Sequence, residues 1–196
     1  MTLPNQLTLS RFVLTAVFLM VIFAAFNGNE TVALFLFCIA GLTDFLDGRI
    51  ARKQNLITNF GILMDPLADK ILNCSAFIAF VELRQMQAWM VVIIVARELA
   101  ITGLRLLAAS KSVVLAAERY GKHKTISQIV AIIAILVLLS YPQWGTPGIA
   151  LFGWRIGGRP WIESFVEFSK WVTVVLTLWS GAVYLWRNRR LYLDDM

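Results

Sequence analysis

Four aspartates carry the first chemical signal in this chain. Asp44 and Asp47 stand three residues apart and Asp65 and Asp69 four apart, each pair at the end of an otherwise apolar stretch. On helices advancing about 100° per residue, Asp44, Asp47, Gly48 and Ala51 fall within one arc with Arg52 at its edge. Gly61, Asp65 and Asp69 line up at i, i+4, i+8 on one face of the next helix. Two neighbouring helices that each turn two carboxylates toward a common interface make a dense negative site, which must be neutralised by protons or by cations. Oxygen donors without a His or thiolate partner suit hard divalent ions, Mg²⁺ first, with Mn²⁺ or Ca²⁺ as alternatives, rather than zinc or copper; Mg²⁺ also commonly recruits phosphate oxygens. Gly48, Ala51 and Gly61 leave room on the same faces for a ligand or for another backbone, tight helix packing being their plainer role. Pro66, between two of the acids, removes a backbone donor and is expected to kink its helix.

The elements that must position these acids are membrane spans. Of 196 residues, 59% are hydrophobic and 15% charged, and the mean hydropathy is +0.72; soluble domains average about 45–50% apolar and about 25% charged. That balance excludes a water-soluble domain and intrinsic disorder. Six apolar stretches, at about 8–26, 32–52, 61–81, 88–109, 125–141 and 167–186, each approach the roughly 20 residues that cross a bilayer core of about 30 Å. The expected fold is all-α, an integral membrane bundle of six transmembrane helices forming one domain over residues 1–196. The first stretch reads as an uncleaved helix rather than a signal peptide, because no small-x-small site follows Phe26.

Six crossings put both termini on one side. That side carries 11 Lys and Arg in its loops and ends against 3 on the other, Arg84, Arg155 and Arg159, which places the termini and the acids at the cytoplasmic face of the cell's inner membrane. The formal net charge of +6 therefore reports orientation, and nucleic acid is not an expected partner. The connection at 142–166 lies outside, with Trp144, Trp154 and Trp161 marking an interfacial belt. Cys38 and Cys74 sit in apolar runs as packing residues, with no disulfide or zinc pattern.

Two rival roles for the acids compete with a metal site. Intramembrane salt bridges to Arg52, Lys70 or Arg97 would account for some acids, but four exceed what bridging requires. A proton-coupled transporter expects carboxylates near the midplane and broken helices in paired halves, whereas these lie toward one end and no repeat is visible.

The residues Asp44-Phe-Leu-Asp47-Gly48-Arg-Ile-Ala51-Arg52, eight further residues, and Gly61-Ile-Leu-Met-Asp65-Pro-Leu-Ala-Asp69 resemble the full signature of the CDP-alcohol phosphotransferase family, with no departure at a fixed position. Leu3 to Arg11, Asp65 to Lys70, Ala96-Arg97-Glu98 and Gly121 to Thr125 resemble the bacterial branch whose acceptor is glycerol 3-phosphate. The resemblance covers nearly the whole chain and is weakest at 142–166. It implies transfer of the phosphatidyl group from CDP-diacylglycerol to the 1-hydroxyl of sn-glycerol 3-phosphate with release of CMP, by a homodimer. Cardiolipin-, inositol-phosphate- or serine-type acceptors remain the alternatives within the family. It further implies that Asp44, Asp47, Asp65 and Asp69 hold one or two divalent ions, that Asp69 is the general base, and that Asn5, Gln6, Leu7, Thr8, Gly48, Ala51, Arg52 and Thr58 meet the CDP part of the donor.

The acceptor's phosphate needs a cationic site of its own, for which Arg97, Arg105, Lys122 and Lys124 are the candidates. Plainer roles compete here too. Lys122 and Lys124 satisfy the positive-inside rule or touch anionic lipid, and Arg97 is a partner for Glu98. His123, the sole histidine, reads as an exposed loop residue, and Arg187, Arg189 and Arg190 as a topology anchor.

Overall fold

A computed structural model describes the backbone of residues 3–54, 59–111, 120–189 and 191, and side chains at 9–43, 70–111, 122–189 and 191. Six helices of 20 to 27 residues dominate it: α1 (Leu3–Ile22), α2 (Asn29–Gln54), α3 (Asn59–Glu82), α4 (Ala88–Ser110), α5 (Tyr120–Ser140) and α7 (Trp161–Arg187). At about 1.5 Å per residue each is long enough to cross roughly 30 Å. Among the described residues, two helical stretches also meet a strict apolarity requirement, Lys122–Phe152 and Trp161–Arg187, while Leu9–Ile22 and Asn29–Thr43 are shorter apolar runs.

Burial is inverted relative to a soluble protein. Along α7, Phe165, Phe168, Trp171, Val175, Leu178 and Trp179 are exposed, while Ser169, Lys170, Thr173, Thr177 and Ser180 are buried. A continuous apolar exterior around polar interior positions is what lipid contact favours, since water would drive the opposite arrangement. Inside, one apolar cluster draws Phe18 from α1, Phe37 from α2, Phe77 and Phe80 from α3, Ile94 from α4, Ile132 and Ile135 from α5 and Val174 from α7. α1 packs on both α2 and α3, α5 on α7 and α2, and α4 on α7. Thr173 on α7 donates to the Ser127 carbonyl of α5 at 2.9 Å, satisfying a hydroxyl that has no water to turn to.

The connections are tight at the end away from the acids. After α3, Arg84 takes φ 56°, and the Gln85 and Met86 amides return to the Phe80 carbonyl at 2.8 and 3.1 Å, closing the helix in the manner of a left-handed cap. The buried Lys170 ammonium of α7 then donates to the Gln85 carbonyl at 2.9 Å. The segment at 142–166, which reads from sequence as an outer connection, is built from regular pieces. A 3₁₀ turn (Tyr141–Trp144), α6 (Gly145–Phe152) and a two-stranded hairpin, β1 (Arg155–Ile156) with β2 (Arg159–Pro160), fill it. Trp144 donates to Thr31 at the start of α2 at 3.0 Å and meets Phe152, which stacks on Trp161. Trp154 is exposed. α7 therefore begins six residues before the apolar stretch that announced it, at Trp161, and α3 is helical throughout its passage of Pro66.

Candidate active site

The alternating course of the long helices brings the first residues of α1, α3 and α5 and the last residues of α2, α4 and α7 to one end of the bundle. The acids fall there. Asp44 and Asp47 lie in the last turns of α2 and Asp65 and Asp69 in the first half of α3, four residues outside the described backbone separating the two helices. Their side chains, and those of Asn5, Gln6, Leu7, Thr8, Gly48, Ala51 and Arg52, lie outside the described set, as does Thr58 altogether. Among the described residues there is no group of three or more His, Cys, Asp or Glu that would hold a metal, and the four motif acids lie outside that set.

Next to that region the structure describes a cavity of about 190 Å³ between α3, α4 and α5, lined by Lys70, Asn73, Cys74, Ile94, Glu98, Lys124, Thr125 and Gln128. Helix periodicity ties it to the acids, because Asn73 continues the i, i+4 series of Asp65 and Asp69, one turn further from the acid-bearing end of α3. Lys70 follows Asp69 directly.

The cavity wall is an ion network centred on Glu98, which is 6% exposed. Its carboxylate accepts from the Lys124 ammonium of α5, itself 4% exposed, and from Arg97 NH1 at 3.2 Å. The Glu98 carbonyl accepts from the Thr102 hydroxyl at 2.7 Å, and that hydroxyl in turn accepts from the Lys70 ammonium. Arg97 and Lys70 both act electrostatically on Lys124, and Arg105 on Arg97. Two cations, Lys124 and Arg97, therefore share the Glu98 carboxylate, and Lys70 joins the network through Thr102. Arg97 lies against Gly181 of α7, where an added Cβ would come within 3.0 Å of its Cγ. The absent side chain is what lets the guanidinium stem pass between the two helices.

The four sequence candidates for the acceptor phosphate separate in space. Lys124 is buried and lines the cavity, and Arg97 is half-buried behind Glu98. Arg105 is exposed; its Nε donates to the Tyr184 hydroxyl at 3.3 Å, and its guanidinium sits 5.8 Å from that ring's centre. Lys122 is exposed at the start of α5, as is His123, which is helical rather than in a loop. Cys38 and Cys74 are half-buried free thiols.

Sequence reasoning passes over Glu98 as a hub, and Asn73, Thr102 and Gln128 entirely. The signal is present: each is a polar residue in an apolar run, and Asn73 and Gln128 stand four residues after Asp69 and Lys124. Arg11, which from sequence counts among the cytoplasmic-side cations and closes the Leu3–Arg11 segment, is 6% exposed on α1.

Comparison with known proteins supplies the family. The CDP-alcohol phosphatidyltransferase family description matches residues 1–179. A Bacillus subtilis protein named CDP-diacylglycerol–glycerol-3-phosphate 3-phosphatidyltransferase is 38% identical over 204 residues, covering 95% of this chain and 94% of that one. A protein of the same name from Salmonella typhimurium is 34% identical over 199 residues, with 98% of each chain covered. One from Rickettsia prowazekii is 32% identical over 182 residues, covering 93% and 92%. With an intact eight-residue signature on α2 and α3 and a family match along nine-tenths of its length, the chain belongs to the CDP-alcohol phosphatidyltransferase family and is an enzyme of that class.

Proposed function

We propose that this enzyme transfers the phosphatidyl group of CDP-diacylglycerol to the 1-hydroxyl of sn-glycerol 3-phosphate, giving phosphatidylglycerophosphate and CMP in phospholipid synthesis. The observation that carries the choice of acceptor is the pairing of both Arg97 and the buried Lys124 with the one carboxylate of Glu98 beside a small cavity that Lys124 and Glu98 line. Such a pair of cations suits a small anionic acceptor, and the names of the three relatives specify one, glycerol 3-phosphate.

In this reading the six long helices all cross the inner membrane, with both termini and the site on the cytoplasmic side, and the enzyme works as a homodimer. Asp44, Asp47, Asp65 and Asp69 hold one or two Mg²⁺ or Mn²⁺ ions, for which an all-carboxylate donor set is suited. When bound, such ions neutralise the pyrophosphate and the charge developing on departing CMP. Asn5, Gln6, Leu7, Thr8, Gly48, Ala51 and Thr58 seat the cytidine end of the donor, and Arg52 stabilises the phosphate that leaves. Asp69 takes the proton of the acceptor 1-hydroxyl as its oxygen bonds to the β-phosphorus and the bond from that phosphorus to CMP breaks. Lys124 and Arg97 orient the acceptor through its phosphate, with Arg105 and Lys122 on its approach from the cytoplasm.

The test is CMP release by the purified protein with CDP-diacylglycerol, Mg²⁺ and a panel of acceptors. Glycerol 3-phosphate is expected to outperform inositol phosphate, serine and phosphatidylglycerol. A different preferred acceptor would overturn the substrate assignment, and no CMP with any acceptor would overturn the reaction. Asp69→Asn is expected to abolish turnover while CDP-diacylglycerol binding persists; turnover near the parent's removes Asp69 as the base.

A further inference from the structure

The floor of the cavity is chemically unlike its rim. Toward the acid-bearing end, its rim, the cavity is lined by Lys70, Lys124 and Glu98; one helical turn further along α3 and α5, its floor, it is lined by the neutral amides Asn73 and Gln128. Gln128 is 2% exposed, and its Nε2 has no hydrogen-bond partner among the described residues. A buried amide donor left unsatisfied costs stability that an apolar side chain of the same shape would not. Gln128 lines a cavity of about 190 Å³, far above the roughly 10–15 Å³ that one water needs, with Nε2 itself enclosed within the wall. The cavity is sized for a small polar molecule and not for an acyl chain.

Resting on the phosphatidyltransferase reading, we propose that Gln128 is a specificity residue, donating from Nε2 to the C2 hydroxyl of a three-carbon polyol phosphate. Shape carries the assignment. The acceptor has a hydroxyl at one end and a phosphate at the other, and the residues suited to them, Asp69 and Lys124, stand at the level of the rim. A three-carbon chain held at both ends arches, and its middle carbon directs its hydroxyl at the floor, where Gln128 lies four residues, one turn on the same face, below Lys124. Cations at the rim read the phosphate, which many metabolites share. A neutral amide at the floor reads a hydroxyl at one position, and a site built around such a bond penalises an acceptor that lacks it, because the amide then stays unpaired. Asn73 flanks the same hydroxyl from α3.

The experiment compares sn-glycerol 3-phosphate with 1,3-propanediol monophosphate, which keeps the attacking hydroxyl and the phosphate but has no C2 hydroxyl. For the wild-type enzyme, kcat/KM measured by CMP release is expected to favour glycerol 3-phosphate by about tenfold or more. Gln128→Met, close in shape but without the amide, is expected to lower kcat/KM for glycerol 3-phosphate about tenfold, leave the propanediol ester within about twofold, and so erase the preference. If that variant does not accumulate, Gln128→Asn keeps the amide, shortens its reach and is expected to show the same selective loss. Equal use of both acceptors by the wild type overturns the role of Gln128 alone. So does an equal loss on both acceptors in the variants, the mark of a structural role, or no loss, the mark of an amide that meets only water. No CMP from wild type with either acceptor overturns the transferase reading and this assignment with it.

Discussion

Replacing Glu98 by Leu removes the one described carboxylate from a site that keeps Lys124, Arg97 and Lys70. The Glu98 oxygen lies 3.2 Å from Arg97 NH1 and accepts from the Lys124 ammonium as well. Two unit charges about 4 Å apart attract by about 4 kcal/mol at an effective dielectric constant near 20, so two such contacts amount to roughly 8 kcal/mol gross. Most of that offsets the desolvation of charges on residues only 4% and 6% exposed. Removal of a single partner nevertheless forfeits the attraction and leaves the remaining charges buried, for a net cost of about 3–5 kcal/mol. In a chain of this length each kcal/mol moves Tm by about 2–4 °C, so Glu98→Leu is expected to melt about 6–20 °C below the parent in detergent. A thermodynamic cycle sharpens the test. Lys124→Met alone leaves Glu98 with Arg97, whereas the double variant removes both halves of the tighter pair, so its loss is expected to fall short of the sum of the single losses by about 1–3 kcal/mol. Additive losses, or a Glu98→Leu melt within about 2 °C of the parent, would refute the network as the organiser of the cavity.

Three further outcomes follow from the same geometry. Lys124→Met is expected to raise KM for glycerol 3-phosphate at least tenfold, about what loss of a charge-assisted hydrogen bond costs, whereas Lys122→Met at its exposed position stays within about threefold; steady-state CMP release checks both. Gly181→Ala sets a Cβ 3.0 Å from Arg97 Cγ, near the backbone end of that side chain, so Arg97 has to give by a few tenths of an ångström; Gly181→Leu is expected to displace Arg97 outright and raise the acceptor KM further while the CDP-diacylglycerol KM holds. Chelation by EDTA is expected to abolish CMP release, with Mg²⁺ or Mn²⁺ restoring it and Zn²⁺ failing to, as an all-carboxylate donor set requires; restoration by Zn²⁺ alone would count against that set.

What is legible in the sequence depends on how strongly single residues violate their surroundings. The four acids stand out because a carboxylate in an apolar run is costly wherever the helix lies, so type and spacing alone place them on two helices and at one end. Helix number comes from the lengths of the apolar runs. Helix ends do not: Trp161 to Val166 reads as a loop because Glu163 and Ser164 interrupt the run, yet burial of Ile162 and Val166 and the stack of Trp161 on Phe152 carry α7 outward through them. The hairpin at 155–160 turns through Gly157 and Gly158 at φ 63° and 87°, a cue present in the Gly-Gly pair but too short to outweigh the length of the segment. Glu98 is visible only as the neighbour of Arg97. Its link to Lys124 joins residues 26 apart on different helices, and no local pattern encodes that contact.

The same contrast bears on how such an enzyme divides its labour. The eight signature positions occupy the end of α2 and the first half of α3, and their chemistry concerns a pyrophosphate common to every donor of the family. The cavity instead borrows Lys124 and Gln128 from α5 and Glu98 from α4, positions outside the signature. α3 carries both the last signature acid, Asp69, to which the proposed reaction assigns the base, and Asn73, one turn further along, which lines the cavity. Under the proposed assignment, a change of acceptor is expected through the α4 and α5 residues without disturbing the acids, while a change at α3 is expected to alter both functions together. On this proposed division Gln128→Met is expected to erase the preference between acceptors, and Asp69→Asn to stop turnover for all of them.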